Sequence, residues 1–266
     1  MTYRIGLLVP SSNVTMETEL PTMFRHRERV APERFTFHSG RAQLTNVTPE
    51  ALAAMNLAAR RSAAELADAD CDVLAYACLV AVMAAGPGAH LTTAADLASA
   101  TDGTTVVTSA GALVDGIRAL GARRVAMIAP YAPPLTAKVV AYLAAEGIEV
   151  VDAISLNVTD NRAVGRLDPA ALVGLTDHLD LAEADALVLS ACVQMPSLPS
   201  IEAAEQRTRL PTLSAATATA RGILRALDLA PEIPGAGALL RTGPAISAPS
   251  RPRTARLLPP HPAGAV

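Results

Sequence analysis

The stretch RIGLLVPS, Arg4 to Ser11, decides the fold of this chain because it occurs twice. Its counterpart is RVAMIAPY, Arg124 to Tyr131, and a proline closes the apolar run in both copies. Short apolar runs that are bounded by turn residues are typical of buried strands. The sequence therefore predicts two similar halves, each of which begins with a buried strand.

Each copy opens an alternation of short β-like segments with longer helical ones. In the first half FTFHSG and CDVLAYA flank an Ala- and Leu-rich helical segment, for which Thr48 and Pro49 supply the N-cap and the first helical residue. Asp168 and Pro169 repeat this start in the second half. Such alternation is typical of βαβ units with a parallel sheet. We expect an α/β protein with two parallel-sheet domains related by pseudo-two-fold symmetry, and an active site in the cleft between them.

The offsets between the copies predict the domain boundaries. We expect a first domain formed by residues 1–108 plus 206–243, and a second domain formed by residues 109–205. From Pro244 onward the chain is Pro-rich and has no hydrophobic periodicity. Segments of this composition cannot bury enough apolar surface to fold, so residues 244–266 are predicted to be a disordered tail.

The composition excludes several classes of function. The 266 residues are 51% hydrophobic, and the net charge of −3 offers no basic surface for nucleic acid or an anionic membrane. No apolar run reaches the ~20 residues of a membrane span, and the N-terminus has no signal-peptide layout. Three widely spaced cysteines do not form a disulfide framework, so we expect a cytoplasmic protein with reduced thiols. Lys138 is the only lysine, which argues against Schiff-base chemistry.

Two of the three cysteines end strands that correspond in the two halves, Cys78 after VLAYA and Cys192 after LVLSA. Ligands of open parallel sheets bind at the carboxyl ends of the strands. We expect each cysteine to precede a helix whose N–H groups lower the thiol pKa, for Cys78 toward 7. Both thiols could then move protons, or one could attack while the other supplies a proton. A purely structural role also stays open, and Cys71, which has no counterpart, is interpreted as a core residue.

Polar residues follow the same strand ends and could hold a small carboxylate through amides and hydroxyls. They are Ser11, Ser12, Asn13, Tyr131, Asn157 and Asn161. Asn and Ser are also common as helix caps and turn residues, so each taken alone has a structural interpretation. No dinucleotide or phosphate-binding glycine motif occurs, and the five histidines show no metal-ligand spacing. We expect neither a metal nor a cofactor.

These motifs resemble the aspartate/glutamate racemase superfamily and, within it, the maleate cis–trans isomerases. The resemblance extends over about Tyr3 to Leu240, and its most specific parts are PSSNVTMETELP, DVLAYACLVAVM, DNRAVGRLDP and LSACVQMPSLP. Arylmalonate decarboxylases share the fold but have one catalytic cysteine, whereas both cysteines are present here. The sequences ACLVAVM and ACVQMPS also differ from the Cys-Asn-Thr and Cys-Thr motifs usual in the racemases.

The resemblance implies Cys78 as the nucleophile and Cys192 as the proton donor. It implies reversible addition of the Cys78 thiolate to maleate, rotation about C2–C3 and elimination as fumarate, with no cofactor. The carboxylates of this small dicarboxylate substrate would bind three side chains and the backbone groups of four further residues. These are Asn13, Tyr131 and Asn161, and Leu79, Val80, Val193 and Gln194. The superfamily also implies a homodimer.

Two other classes of protein stay open from the sequence. A cofactor-independent amino-acid racemase or an arylmalonate-type decarboxylase could use the same scaffold. The other class is an inactive ligand-binding relative. The pair formed by Cys78 and Cys192 argues against this class, because a protein that only binds its ligand has no need of both thiols.

Overall fold

The computed structural model describes residues 1–45 and 48–241. The tail predicted for residues 244–266 lies outside these residues, as do the last two residues of the predicted first domain. Within the described ranges, no helix is both long enough and apolar enough to cross a membrane.

In the part of the chain that the structure describes, eight strands form two separate sheets of four, and all neighbouring strands run parallel. The first sheet has the order β2–β1–β3–β4 and consists of β1 (Thr2–Pro10), β2 (Arg34–Ala42), β3 (Val73–Tyr76) and β4 (Val106–Thr108). The second sheet has the order β6–β5–β7–β8 and consists of β5 (Arg124–Ala129), β6 (Glu149–Ser155), β7 (Ala186–Ser190) and β8 (Thr212–Ser214). The two orders are equivalent, with β1 and β5 in the same place, so the predicted duplication and the α/β class are confirmed.

Helices connect the strands of both sheets. In the described part of the chain they are α1 (Met16–Arg27), α2 (Pro49–Ala67), α3 (Leu79–Met83), α4 (Ala89–Ala98), α5 (Ser109–Ala119), α6 (Pro133–Ala145), α7 (Asn161–Val164), α8 (Pro169–Leu175), α9 (Ile201–Thr208) and α10 (Ala215–Ala226). A short 3-10 turn, Leu198–Ser200, leads into α9.

The helix starts read from the two repeated Pro motifs are confirmed. The hydroxyl of Thr48 accepts a hydrogen bond from the N–H of Ala51 at 3.3 Å, at the start of α2. The carboxylate of Asp168 accepts from the N–H of Ala170 at 2.9 Å, at the start of α8. Both caps satisfy N–H groups that have no partner inside the first helical turn.

The chain passes from the second sheet toward the first half after β8. The strand β8 adds Thr212–Ser214 to the second sheet, beyond the position at which the sequence predicted the return to the first domain. The following helix α10 contacts α1, β3 and β4 of the first half as well as α5 and β8. The division into domains at residues 109 and 206 stays a prediction.

The central strands of both sheets are buried and have their carboxyl ends near one another. All residues of β3 and β7 are buried, and so is β5 from Val125 to Ala129. Because these strands are fixed by the core, the loops that follow β1, β3, β5 and β7 start from well-defined positions. Those loops carry the residues that the sequence singled out, apart from Asn157 and Asn161, which follow β6.

Candidate active site

A small cavity lies where the loops of the two halves meet. It has a volume of about 20 Å³ and is lined by residues from the ends of β1, β3, β5 and β7 and from α7. The lining residues are Pro10, Asn13, Leu44, Cys78, Leu79, Val80, Tyr131, Asn161, Cys192, Val193 and Gln194. All nine predicted site residues are therefore brought together, including two cysteines that the sequence separates by more than a hundred residues.

Cys78 occupies the residue before α3 and is 4% exposed. Hydrogen bonds between α2, β3 and α3 stabilise the backbone next to Cys78. The hydroxyl of Tyr76, which is fully buried, donates to Oδ1 of Asn56, and Nδ2 of Asn56 donates to the carbonyl of Ala81 in α3 at 3.3 Å. These contacts tie the short helix to α2, so the cysteine has little freedom to move.

The expectation of a lowered pKa for Cys78 is wrong for the unliganded protein. Burial, together with a smaller effect of the neighbouring Cys192, raises the pKa of Cys78 to about 12, although the N–H of Ala81 acts in the opposite direction. The physical reason is that burial removes the water that would stabilise a thiolate, and α3 has only five residues to replace it. The thiol of Cys78 is therefore protonated at neutral pH.

Cys192 does not begin a helix, which corrects the second part of that expectation. It starts an irregular loop that runs to the 3-10 turn Leu198–Ser200, because Pro196 and Pro199 cannot donate to a helical ladder. The loop is braced internally, since the hydroxyl of Ser190 donates to the carbonyl of Cys192 at 2.8 Å and to that of Met195 at 3.2 Å.

The sulfur of Cys192 has more hydrogen-bond donors than that of Cys78. Burial raises the pKa of Cys192, but the hydroxyl of Tyr131 and the N–H groups of Gln194 and Met195 lower it. The N–H of Gln194 lies 3.3 Å from Sγ. Burial also raises the pKa of Tyr131 well above its usual value, and the nearby thiols Cys192 and Cys78 raise it further, so the phenol stays a donor. Of the two sulfurs, Cys192 is therefore the better site for a thiolate.

The side chain of Gln194 joins the two halves and has no hydrogen left for a ligand. Its Oε1 accepts from the N–H of Val14 at 3.2 Å. Its Nε2 donates to the carbonyl of Ser12 at 2.9 Å and to that of Asn161 at 3.0 Å. An amide nitrogen has two hydrogens, and both are used here. Gln194 can therefore bind a ligand only through its backbone groups, and these are the groups that the family resemblance implies.

Asn13 and Asn161 each have one amide hydrogen without a partner among the described residues. Nδ2 of Asn13 donates to the carbonyl of Val193 at 3.5 Å, and its Oδ1 accepts from the N–H of Met16 at 3.1 Å. Nδ2 of Asn161 donates to the hydroxyl of Ser12 at 2.7 Å. Since each amide nitrogen has two hydrogens, one on each side chain remains for an acceptor in the cavity.

The cavity is lined by neutral residues throughout. A bound anion would thus be held by amide and hydroxyl donors in a dry site, where such donors act more strongly than in water. Among the described residues, no group of three or more His, Cys, Asp or Glu side chains could hold a metal ion.

Several residues that support the site were not found from the sequence. Thr15 donates to the carbonyl of Gln194 at 2.7 Å, and Glu19 accepts from the loop after Cys192. Asn56 supports α3, the helix that follows Cys78, by donating to the carbonyl of Ala81. For Thr15 and Glu19, polarity within PSSNVTMETELP was the one available signal, and Asn56 lies outside that motif, because the partners of all three are distant in the chain. Asn157, with φ of 56°, shapes the turn after β6 and does not line the cavity.

Comparison with known proteins places this arrangement in a class. The arylmalonate decarboxylase family model matches residues 5–240, nearly all of the described chain. This family is racemase-like. The chain has two parallel sheets, and its two cysteines lie in one cavity that is lined by neutral residues.

Within the class, the chain is similar to several maleate isomerases over most of its length. The chain is 54% identical to that of Geobacillus stearothermophilus, over 90% of this chain and 97% of the relative. A Pseudomonas putida maleate isomerase variant crystallised with maleate has a TM-score of 0.89 at 52% identity, with 90% and 98% of the two chains covered. A cysteine-to-serine variant from Nocardia farcinica, with a covalently bound succinylcysteine intermediate, has a TM-score of 0.87 at 50% identity, with 92% and 100% covered. The chain belongs to the maleate isomerases of the arylmalonate decarboxylase family, and the resemblance drawn from its motifs is confirmed.

Proposed function

We propose that this protein interconverts maleate and fumarate by reversible addition of a cysteine thiolate. The observation that carries the proposal is the pair Cys78 and Cys192 in one neutral, donor-lined cavity. The relatives support it, since the Nocardia farcinica variant carries a succinylcysteine, which is the adduct that such an addition forms. A cis double bond does not rotate, so it must become a single bond for a time.

In the proposed reaction the sulfur of Cys78 forms a bond to C2 of maleate. The electron pair of the double bond moves to C3, where Cys192 supplies a proton and becomes a thiolate. Rotation about the C2–C3 single bond then brings the carboxylates to opposite sides. In the reverse step the Cys192 thiolate removes a proton from C3, the C–S bond breaks, and fumarate leaves. Atoms and charge balance without a cofactor.

The proton on Cys78 must leave as the sulfur attacks, because the thiol, with a pKa raised by burial to about 12, is protonated at neutral pH. The better-stabilised thiolate, Cys192, lines the same cavity and is the base proposed to accept it. We propose that the proton passes from Cys78 to Cys192 as the C–S bond forms, and then to C3. The reactive form of the pair therefore carries one proton in total.

The substrate carboxylates are proposed to bind donors from both halves. Asn13 and Asn161 would each supply one amide hydrogen, and Tyr131 a hydroxyl. Backbone groups of the two cysteine loops would complete the set, at Leu79, Val80, Val193 and Gln194. Charge that builds up on the carboxylate next to C3 would be stabilised by such fixed donors, each of which is worth about 3 kcal/mol.

Binding also requires the loops around the cavity to move apart. A cavity of about 20 Å³ has room for one water molecule, and maleate has eight non-hydrogen atoms. The hydrogen bonds of Gln194 to Ser12 and Asn161 hold the two halves together beside the cavity. We propose that the substrate enters when these contacts open and is then enclosed in a dry site.

Proton NMR of the purified protein with maleate, in the presence of a metal chelator, tests the proposal. We expect the maleate signal to be replaced by that of fumarate without any added cofactor. Cys71→Ala is the matched control, since Cys71 is a buried free cysteine outside the cavity, whereas Cys78→Ala should abolish the conversion. Conversion that stops with chelator and returns with a divalent metal would contradict the proposed chemistry.

We further propose that the protein works as a homodimer in the cytoplasm. The superfamily resemblance supports the dimer, and three buried free cysteines are compatible with a reducing compartment. Light scattering after size-exclusion chromatography should give twice the mass of 27.4 kDa calculated for one chain. A mass of one chain at micromolar concentration would contradict the dimer.

A further inference from the structure

Glu19 is a buried carboxylate that joins α1 of the first half to the loop after Cys192. Its side chain is 6% exposed, and Oε1 accepts the N–H of Ser197 at 2.6 Å and that of Leu198 at 2.7 Å. These donors open the 3-10 turn Leu198–Ser200, where backbone N–H groups have no partner within the turn. The carboxylate therefore completes the hydrogen bonding of a loop that belongs to the other half of the molecule.

This carboxylate is costly to bury at its position. It makes no ion pair among the described residues, and its Oε2 and the hydroxyl of Ser197 lack a hydrogen-bond partner that meets normal geometry there. Burial raises the pKa of Glu19, whereas the N–H groups of Leu198 and Ser197 lower it, as does the nearby Ser197 hydroxyl. A buried acid without a cation destabilises a fold unless its hydrogen bonds compensate. A role in packing alone therefore does not explain why a carboxylate is buried at residue 19.

The loop that Glu19 holds is the loop that carries Cys192. The residue before α1, Thr15, donates to the carbonyl of Gln194 at 2.7 Å. Thr15 and Glu19 thus hold the loop from the first half at both ends, at Gln194 and at Ser197. The Cys192 thiol follows a fixed strand and precedes these two anchors, so they set where its sulfur lies relative to Cys78.

We propose that Glu19 is a positioning residue for the Cys192 thiol, which it holds at the distance needed for proton transfer to C3 of the substrate. Glu19 does not line the cavity, so it acts through the loop that carries Cys192. The inference rests on the proposed isomerisation, because it assigns Glu19 to the proton-transfer part of that reaction.

The test is the substitution Glu19→Ala, followed by steady-state kinetics and intact-mass spectrometry with maleate. A displacement of Cys192 by about 1 Å should lower kcat by about a hundredfold. KM should change little, because the carboxylate donors remain. An adduct with the mass of one maleic acid molecule should accumulate on Cys78, since its elimination needs Cys192. Loss of stability alone would not produce that adduct.

Glu19→Gln is the conservative variant. Its amide oxygen can still accept the N–H groups of Ser197 and Leu198, so we expect it to keep most of the wild-type kcat. Glu19→Asp serves where Glu19→Ala does not fold. Aspartate keeps the charge but is one methylene shorter, which draws the oxygen away from both donors, so a lower kcat with adduct accumulation is again expected.

Glu205 offers a matched control. It is 7% exposed, and its Oε1 accepts the N–H groups of Thr212 at 3.1 Å and Ala238 at 2.7 Å, but it does not line the cavity. Glu205→Ala should lower the unfolding temperature while kcat stays near the wild-type value and no adduct forms. A folded Glu19→Ala or Glu19→Asp protein with wild-type kcat overturns the inference. A wild-type protein that does not isomerise maleate overturns the proposed function instead.

Discussion

Gly165 lies against the carboxamide of Gln194, and the contact leaves no room for a side chain at residue 165. A Cβ on Gly165 would come within 2.6 Å of Nε2 and 3.1 Å of Cδ of Gln194. The φ angle of Gly165 is −68°, so this position requires space and not a left-handed backbone. Because Gln194 bridges Val14, Ser12 and Asn161, Gly165 protects the contact between the two halves.

The substitution Gly165→Ala should therefore displace Gln194 and loosen that contact. We expect a loss of about 1–3 kcal/mol in the free energy of unfolding, typical of overpacking, and a fall in kcat/KM of roughly tenfold or more. Urea denaturation and steady-state kinetics measure the two effects. Gly174→Ala in α8 is the control, because a Cβ there meets no atom within 4 Å and alanine favours a helix. Equal behaviour of the two variants would remove the role assigned to Gly165.

Substitutions of Cys78 and Cys192 should have different effects on turnover and on the formation of a covalent adduct. Cys78→Ala removes the attacking atom, so neither fumarate nor a covalent adduct should form. Cys192→Ser leaves a hydroxyl, a much poorer acid, and turnover should fall by roughly a hundredfold to ten-thousandfold. Mass spectrometry of Cys192→Ser with maleate should then locate an adduct on Cys78. An adduct on Cys192 in the wild-type protein would mean that the two roles are reversed.

Alkylation should report the raised pKa of Cys78 in the protein without substrate. A thiolate is the reactive form, and with a pKa of about 12 its population rises tenfold for each pH unit up to that value. Labelling of Cys78 by iodoacetamide should therefore be slow at pH 7 and should still be increasing at pH 10. Peptide mapping of a time course measures the rate. A rate that levels off below pH 8 would show that the thiol pKa is lowered instead.

The same pKa predicts a loss of stability at alkaline pH. An unfolded Cys78 has a pKa near 9.0 and releases its proton there, whereas the folded protein retains it to about 12. The unfolded state thus binds fewer protons between these values, so stability falls as the pH rises through this window. From pH 8 to pH 10 the loss due to Cys78 should be about 1.4 kcal/mol. Urea denaturation of the wild type and Cys78→Ser should differ in pH dependence by that amount, and parallel curves would contradict it.

Much of the fold could be predicted because its signals are local. The repeated runs that became β1 and β5, and the caps at Thr48 and Asp168, depend on neighbouring residues and on short-range hydrogen bonds. The position of Cys78 and Cys192 in a ligand site could also be predicted, because both follow predicted strands and ligands of parallel sheets bind at the carboxyl ends of the strands. The lining residues themselves came from the family resemblance of the surrounding motifs.

Other features were decided by contacts between residues far apart in the chain. The sequence around Cys192 allowed a helix, but its two prolines and the anchors from Thr15 and Glu19 hold the loop in another form. The pKa of Cys78 depends on the sum of all the atoms that exclude water from it, and no local pattern contains that sum. The sequence alone determined the duplicated α/β scaffold and the pairing of the thiols. Their protonation and the contacts that position them depend on tertiary structure, because burial and long-range hydrogen bonds exist only once the two halves have packed together.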